Sequence, residues 1–301
     1  MRVLMSGASG LLGSAIAQAL EAKGVLVGRL VRGGAPSSAA HIRWEPGKPL
    51  DLIPGFEAVI HLAGESVVGR WTAAKKARIR DSRVLGTRTL AEAITRVEPK
   101  PRVFLAASAI GYYGDRGDEI LREESAFGTG FLAEVCREWE AAAEPAVQAG
   151  VRVVHLRIGV VLSKQGGALG KMLLPFRLGL GGKLGSGRQW MSWIHVDDIV
   201  GAVQHALSND AVRGPVNLVA PNPMTNAEFT AVLGKVLSRP AILPAPAFAL
   251  RLALGEMADG ALLASARVEP ARLVASGYVF RFRELQAALE NILGRRTPRI
   301  A

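Results

Sequence analysis

Residues 2–21 read RVLMSGASGLLGSAIAQALE: a short apolar run, then glycines at 7, 10 and 13, then apolar residues at helical spacing. That order predicts a buried strand turning sharply into a helix. A helix N-terminus presents unpaired N–H groups and a favourable dipole, so a turn of this kind is suited to holding a phosphate. Gly7 and Gly10 fit the tight turn and the close approach of a ligand. Gly13 lies one turn into the helix, where a missing side chain lets helix and strand pack closely. The spacing G-x-x-G-x-x-G is one residue longer than the G-x-G-x-x-G dinucleotide fingerprint, and a bare tight turn is the alternative reading.

The rest of the chain favours the nucleotide. Apolar runs recur at 25–32, 41–44, 57–64, 101–108 and 151–159, and segments of helical spacing stand between them at about 73–97 and 129–149. Regular alternation of this kind predicts an α/β fold, a Rossmann-type doubly wound parallel sheet. Past residue 160 the pattern changes to glycine-rich stretches, a strand-like GPVNLVA at 214–220, and helical segments at 225–238, 246–266 and 283–293. The expected division is a nucleotide-binding core over 1–160, to which about 193–220 returns, and a smaller, mostly C-terminal α/β substrate domain over 161–301.

The end of the second run distinguishes cofactors. An acid there binds the 2′-hydroxyl of NAD, whereas arginine accommodates the 2′-phosphate of NADP. The chain reads LVGRLVRGG, with Arg29 and Arg32 and no acid before Glu45. Arg32 is the expected phosphate contact, and the expected cofactor is NADP(H). A solvated arginine at a strand end is the plainer alternative.

Lysine and arginine number 37 against 26 acids, a formal charge of +11. Such a surplus draws polyanions. The basic residues are scattered, however: KKARIR at 75–80, single arginines along the middle, GRR and Arg299 at the end. An anionic cofactor or substrate accounts for part of the charge more simply, leaving nucleic-acid binding as the distant reading. The single cysteine, Cys136, excludes an intramolecular disulfide and a cysteine metal cluster, and fits a reducing compartment. The most apolar region, residues 243–266, is broken by Arg251, Glu256 and Asp259, so no membrane span is expected and a cytoplasmic protein is.

With these pieces placed, GASGLLG, IHLAGE (60–65), SAIGYYGD (108–115), LRIGVVL (156–162) and WIHVDDI (193–199) resemble the extended short-chain dehydrogenase/reductase superfamily. Longer stretches, among them RWTAAKKARIRDSRVLGTRTL (70–90) and LGLGGKLGSGRQWMSWIH (178–195), are similar to its atypical subgroup of epimerase family proteins. The resemblance implies that Gly7, Ser9, Gly10, Leu11 and Leu12 lie along a pyrophosphate and that Leu62, Ala63 and Gly64 run beside the cofactor. Glu65 would sit just beyond. SRVLGT resembles the superfamily's N-V-x-G-T, which puts Arg83 facing the site.

Hydride transfer at an alcohol or carbonyl also needs a proton at the oxygen. The superfamily supplies Tyr-x-x-x-Lys, the lysine favouring the phenolate. This chain departs from that pattern. Arg116, Gly117 and Phe282 stand four residues after Tyr112, Tyr113 and Tyr278, and the helix that should carry the pair reads FLAEVCREWE. Phe131, Val135 and Trp139 form an apolar stripe there. Ser108, Tyr112 and Tyr113 remain as catalytic candidates, either tyrosine being equally a packed ring with a satisfied hydroxyl. Cys136 reads as a small buried hydrophobe. His195, Asp197 and Asp198 read as a helix start capped by a carboxylate, so no metal is expected. Over 171–193, Arg188, Trp190 and Trp193 are the substrate-binding candidates, with two core tryptophans tying down a loop as the alternative.

Three functions fit these residues. The first is an NADP(H)-dependent oxidoreductase or nucleotide-sugar-epimerase-like enzyme on a small polar substrate, anionic or nucleotide-sugar-like. The second is a catalytically silent NADPH-binding sensor, and the third, distantly, a nucleic-acid binder. The state would be a monomer or homodimer.

Overall fold

The computed structural model of the chain describes residues 1–33 and 41–294. The terminal Arg295, Arg296 and Arg299 lie outside the described residues.

In chain order the elements are β1 (Arg2–Ser6), α1 (Leu11–Glu21), β2 (Leu26–Val31), β3 (His41–Arg43), β4 (Ala58–His61), α2 (Ala73–Arg96), β5 (Val103–Ala109), β6 (Ile120–Leu121), α3 (Phe131–Ala141), α4 (Glu144–Gln148), β7 (Arg152–Ile158), β8 (Val160–Ser163) and α5 (Gly167–Arg177). They continue with β9 (Trp190–Met191), β10 (Trp193–His195), α6 (Val196–Ser208), β11 (Gly214–Leu218), β12 (Met224–Thr225), α7 (Asn226–Leu237), α8 (Ala247–Leu254), β13 (Arg267–Val268), α9 (Ala271–Ala275) and α10 (Leu285–Leu293). Seven strands form one sheet in the order β11-β7-β5-β4-β1-β2-β3, every pair parallel.

A strand buried on both faces has no need to alternate polarity, which is why these runs read as continuously apolar. Alternate residues nevertheless serve different cores. Val3 and Met5 of β1, Ala58 and Ile60 of β4, and Val103 and Leu105 of β5 pack with Ile16 and Leu20 of α1 and Ile199 and Val203 of α6. Leu4, Val59, Phe104 and Ala106 face the other way, against Leu90 and Ile94 of α2 and Ala146 of α4. The sheet is therefore wound on both sides, the expected fold.

A third core gathers Leu169 and Phe176 of α5, Trp193 of β10, Phe229 and Leu233 of α7, Phe282 ahead of α10, and Leu289 within it. Here the expected elements need correction. The expected helix over 129–149 is two helices, parted at Ala142–Ala143 with Pro145 in the first turn of the second, where a missing N–H costs nothing. The expected helix over 246–266 ends at Leu254. Gly255, at φ +61, turns the chain into a short π-helix over Ala258–Leu263.

Candidate functional site

Chain order reverses between β1 and β4, and open α/β sheets bind ligands at the carboxyl ends of the strands beside such a reversal. A cleft of about 440 Å³ lies there, walled by Gly7, Ser9 and Gly10 of the first turn, Arg32 at the end of β2, and Leu62, Ala63 and Gly64 after β4. All seven are residues that the sequence pointed to. Ala8, Arg29 and Trp44 also line it. Trp44 carries no signal in the sequence, because HIRW announces only a strand.

The three glycines have three different reasons. At Gly7, φ is +69 and a Cβ would stand 2.7 Å from the Ala63 nitrogen, so the strand ends themselves demand glycine. At Gly13 a Cβ would stand 2.0 Å from the Gly7 carbonyl oxygen, which fixes helix against turn. Gly10 is different. Its Cβ would meet only that oxygen, at 3.3 Å, and its backbone is ordinary extended chain. Gly10 lines the cleft and caps α1 with no side-chain hydrogen bond, and no acid stands in the first turn. The leading N–H groups of α1, those of Leu11 and Leu12 among them, are thus left for an anion. The Leu11 side chain points instead toward Gly167, and Leu12 packs on the core.

Beneath the cleft the Ser6 hydroxyl accepts from the Leu62 and Ala63 N–H groups and shares a hydrogen bond with His61 Nδ1, 2.5 Å away. Burial, with Arg83 adding to it, pushes His61 down to about 3, so the ring is neutral. Arg83 does not line the cleft. It reaches from α2 to lie under Gly64, donates Nη1 to the Glu65 and Ile79 carbonyls and stacks over Trp139, holding the turn after β4. Glu65 is likewise outside the lining, its carboxylate held below the usual range by a hydrogen bond from Lys75. Of the two arginines near the end of β2, Arg29 is paired with Glu21 at 2.5 Å. Arg32 is exposed on the rim.

A second pocket, about 570 Å³, opens at the ends of β5 and β7. Its walls come from Ile110 and Gly111, from Phe131 and Leu132 at the start of α3, from Met172 of α5, and from the chain between Glu256 and Ala266. The Trp71 ring fills the space above Gly260, where a Cβ would lie 2.8 Å from it. Trp190 is held by its Nε1 donating to Asp118.

Residues 3–219 match the model of the NAD dependent epimerase/dehydratase family, and residues 245–292 match a domain of unknown function. The chain belongs to the NAD-dependent epimerase/dehydratase family. An epimerase family protein of Mycobacterium leprae is 42% identical over 291 residues, covering 95% of this chain and 94% of its own. The crystal structure of human epimerase family protein SDR39U1 with NADPH superposes with a TM-score of 0.91 at 37% identity, over 98% of this chain and 100% of that one. A nucleoside-diphosphate sugar epimerase from Corynebacterium glutamicum gives 0.82 at 38%, over 99% of this chain and 59% of that one.

On α3, the helix expected to carry the tyrosine–lysine pair, Leu132 lines the pocket and Cys136 lies behind Gly111, its thiol pushed up to about 12 by burial. The catalytic candidates face elsewhere. Ser108 is buried and donates to Glu140 Oε1 at 2.7 Å. Tyr113 is 0% exposed; its hydroxyl donates to Asn217 Oδ1 and accepts from Arg157 Nη1, and burial pushes it up to about 12. Tyr112 carries the Arg157 guanidinium over its ring at 3.5 Å. None of the three lines the pocket. All three instead surround Arg157 and its partner Glu140, and Arg157 stands unmarked inside LRIGVVL in the sequence.

Two substrate candidates are also displaced. Trp193 is 0% exposed in the third core, its Nε1 donating to the Asn222 carbonyl. Arg188 is exposed and outside the lining; only Trp190 of the three is a pocket wall. The cap of α6 is the His195 ring, whose Nδ1 accepts from the Asp197 N–H, and not a carboxylate. Asp198 accepts from the Tyr278 hydroxyl and the N–H groups of Arg281 and Phe282, tying the C-terminal chain to α6. Among the described residues, no three His, Cys, Asp or Glu side chains stand together to hold a metal, and no helix is long and apolar enough to cross a membrane. The basic run on α2 is largely paired: Lys75 with Glu65, Lys76 with Glu256, Arg80 with Glu138.

Proposed function

We propose that this family member binds NADP(H) along the carboxyl edge of its sheet and exchanges hydride with a small molecule held in the second pocket. The uncapped N-terminus of α1 beside Gly10 carries the reading. The residues present fit the cofactor. The first-turn N–H groups would receive the pyrophosphate, and Arg32 would pair with the 2′-phosphate. The backbone edge at Leu62, Ala63 and Gly64, anchored by Ser6 and Arg83, would run beside it. When bound, the nicotinamide supplies or takes the hydride. The solved human relative, at 37% identity, carries NADPH.

The protein's part is to bind, orient and exclude water. Residues 161–294, apart from α6 and β11, would form the substrate cap. Phe131 and Leu132 present an apolar floor, and Trp71 and Trp190 present flat faces. Protons at the substrate oxygen would exchange through the Asp115 carboxylate, which lines the pocket and whose Oδ1 accepts from the Gly117 and Ser265 N–H groups at 3.2 Å.

The second reading, a silent NADPH-binding sensor, is favoured by the engagement of Ser108 and Tyr113 around Arg157 and Glu140. One experiment divides the two. NADPH binding is titrated by nicotinamide fluorescence, and nicotinamide oxidation is then followed with a panel of small carbonyl compounds. Binding with turnover supports the oxidoreductase; binding with none across the panel supports the sensor; failure to bind refutes both.

A further inference from the structure

We infer that the second pocket takes an uncharged, apolar-bodied carbonyl or alcohol compound and turns away nucleoside diphosphate sugars. The inference rests on that pocket being the substrate site of the proposed function.

Charge decides the class. Among the described residues lining the pocket, Asp115, Glu256 and Asp259 are charged, and none is a lysine, arginine or histidine. A diphosphate needs the opposite, charge-assisted donors from arginine or lysine at close range. Three cations on the segments around it are already engaged. Lys76 Nζ stands 2.5 Å from Glu256 Oε2 and lies over the Phe131 ring. Arg251 pairs with Asp259 at 2.9 Å, and Arg267 stacks on Trp190 with its guanidinium carbon 4.3 Å from the ring centre. One feature favours negative charge, the N-terminus of α3 at Gly130–Phe131. A helix terminus is equivalent to about half a unit charge, too little to hold a diphosphate beside the Asp115 carboxylate with no arginine or lysine in the lining. It is enough to receive the neutral oxygen of a carbonyl or hydroxyl.

Shape points the same way. Trp71 and Phe131 meet edge to face at 5.1 Å on one side, and Trp190 adds a further aromatic wall. Leu132, Met172 and Leu262 add aliphatic surface. Such walls suit a flat or branched hydrocarbon body with one polar end. Two of the three acids, Glu256 and Asp259, come from the segment matched to the domain of unknown function, so that segment would set the specificity.

The test uses the full chain saturated with NADPH, and ligand-observed NMR with two probes, 4-phenyl-2-butanone and UDP-glucose. The ketone is expected to bind, and to be lost in Met172→Trp, a variant checked by its melting temperature and NADPH affinity. UDP-glucose is expected to bind at least about tenfold more weakly than the ketone, or undetectably. The double variant Glu256→Gln/Asp259→Asn frees Lys76 and Arg251 and should raise UDP-glucose affinity by about tenfold or more. UDP-glucose binding as tightly as the ketone, or neither probe binding, overturns the inference while leaving the cofactor reading intact. Absence of NADPH binding overturns both.

Discussion

Arg157 holds the Glu140 carboxylate on two parallel hydrogen bonds, Nε to Oε1 at 2.8 Å and Nη2 to Oε2 at 2.9 Å. The two side chains are only 3% and 12% exposed, and the pair joins β7 to α3. Removing one partner strands the other. Glu140→Ala should cost about 3–5 kcal/mol of unfolding free energy in urea titrations. A loss below about 1 kcal/mol would mean that solvent reaches Arg157 after all.

Tyr113 donates into the same network, so Tyr113→Phe should act on stability. Asn217 Oδ1 and Arg157 Nη1 each lose a partner, a cost of about 1–3 kcal/mol. NADPH affinity should be unchanged. A variant of native stability with abolished turnover would return the phenol to the catalytic list.

The glycines separate into folding and binding roles. Gly13→Ala drives a Cβ to 2.0 Å from the Gly7 oxygen and should destabilise by about 3 kcal/mol or more. Gly10→Ala should fold within about 1 kcal/mol of the parent, yet lose NADPH affinity by about tenfold or more. Circular dichroism melts and fluorescence titrations read the two effects independently; a Gly10→Ala protein with unaltered affinity would remove the pyrophosphate from this turn.

Arg32→Ala should abolish discrimination between NADPH and NADH. A charge-assisted contact of about 1.5–3 kcal/mol corresponds to a loss of about 10- to 150-fold in the affinity ratio. An unchanged ratio would reassign the 2′-phosphate, with Arg29 the next residue to replace.

The buried His61 makes stability acid-sensitive. Unfolded, it takes up its proton near 6.5; folded, only near 3. Between these values the unfolded chain binds the extra proton, so stability falls as pH drops through that window, by at most about 1.4 kcal/mol per pH unit from this group. His155 and His195, also lowered by burial, act in the same direction. Denaturant titrations from pH 7 to about 5 should give a shallower slope for His61→Gln than for the parent. Equal slopes would place a titrating water path at His61.

The strands, their parallel order and the glycine turn were legible because they depend on local apolar runs and backbone sterics. The second pocket was not. Its walls meet from widely separated stretches, and nothing in YYGD announces that Tyr113 turns inward to Asn217, over a hundred positions away. Trp190 and Trp193 look alike in WMSW, but an odd spacing along an extended chain sends them to different environments: Trp190 to a pocket wall and Trp193 to the core. Apolar spacing carried the expected helices through Pro145 and Gly255, where backbone chemistry ends one and starts another.

The sheet's outer strand, β11, is encoded after α5 and α6, yet it pairs with β7 along Gly214–Leu218. A ribosome therefore releases β7 long before its outer neighbour exists. Until residue 214 is made, the nascent chain carries an open apolar strand edge, the kind of surface that invites mispairing. Chain order thus leaves the β7 edge to be covered last, by a strand made some fifty residues after it.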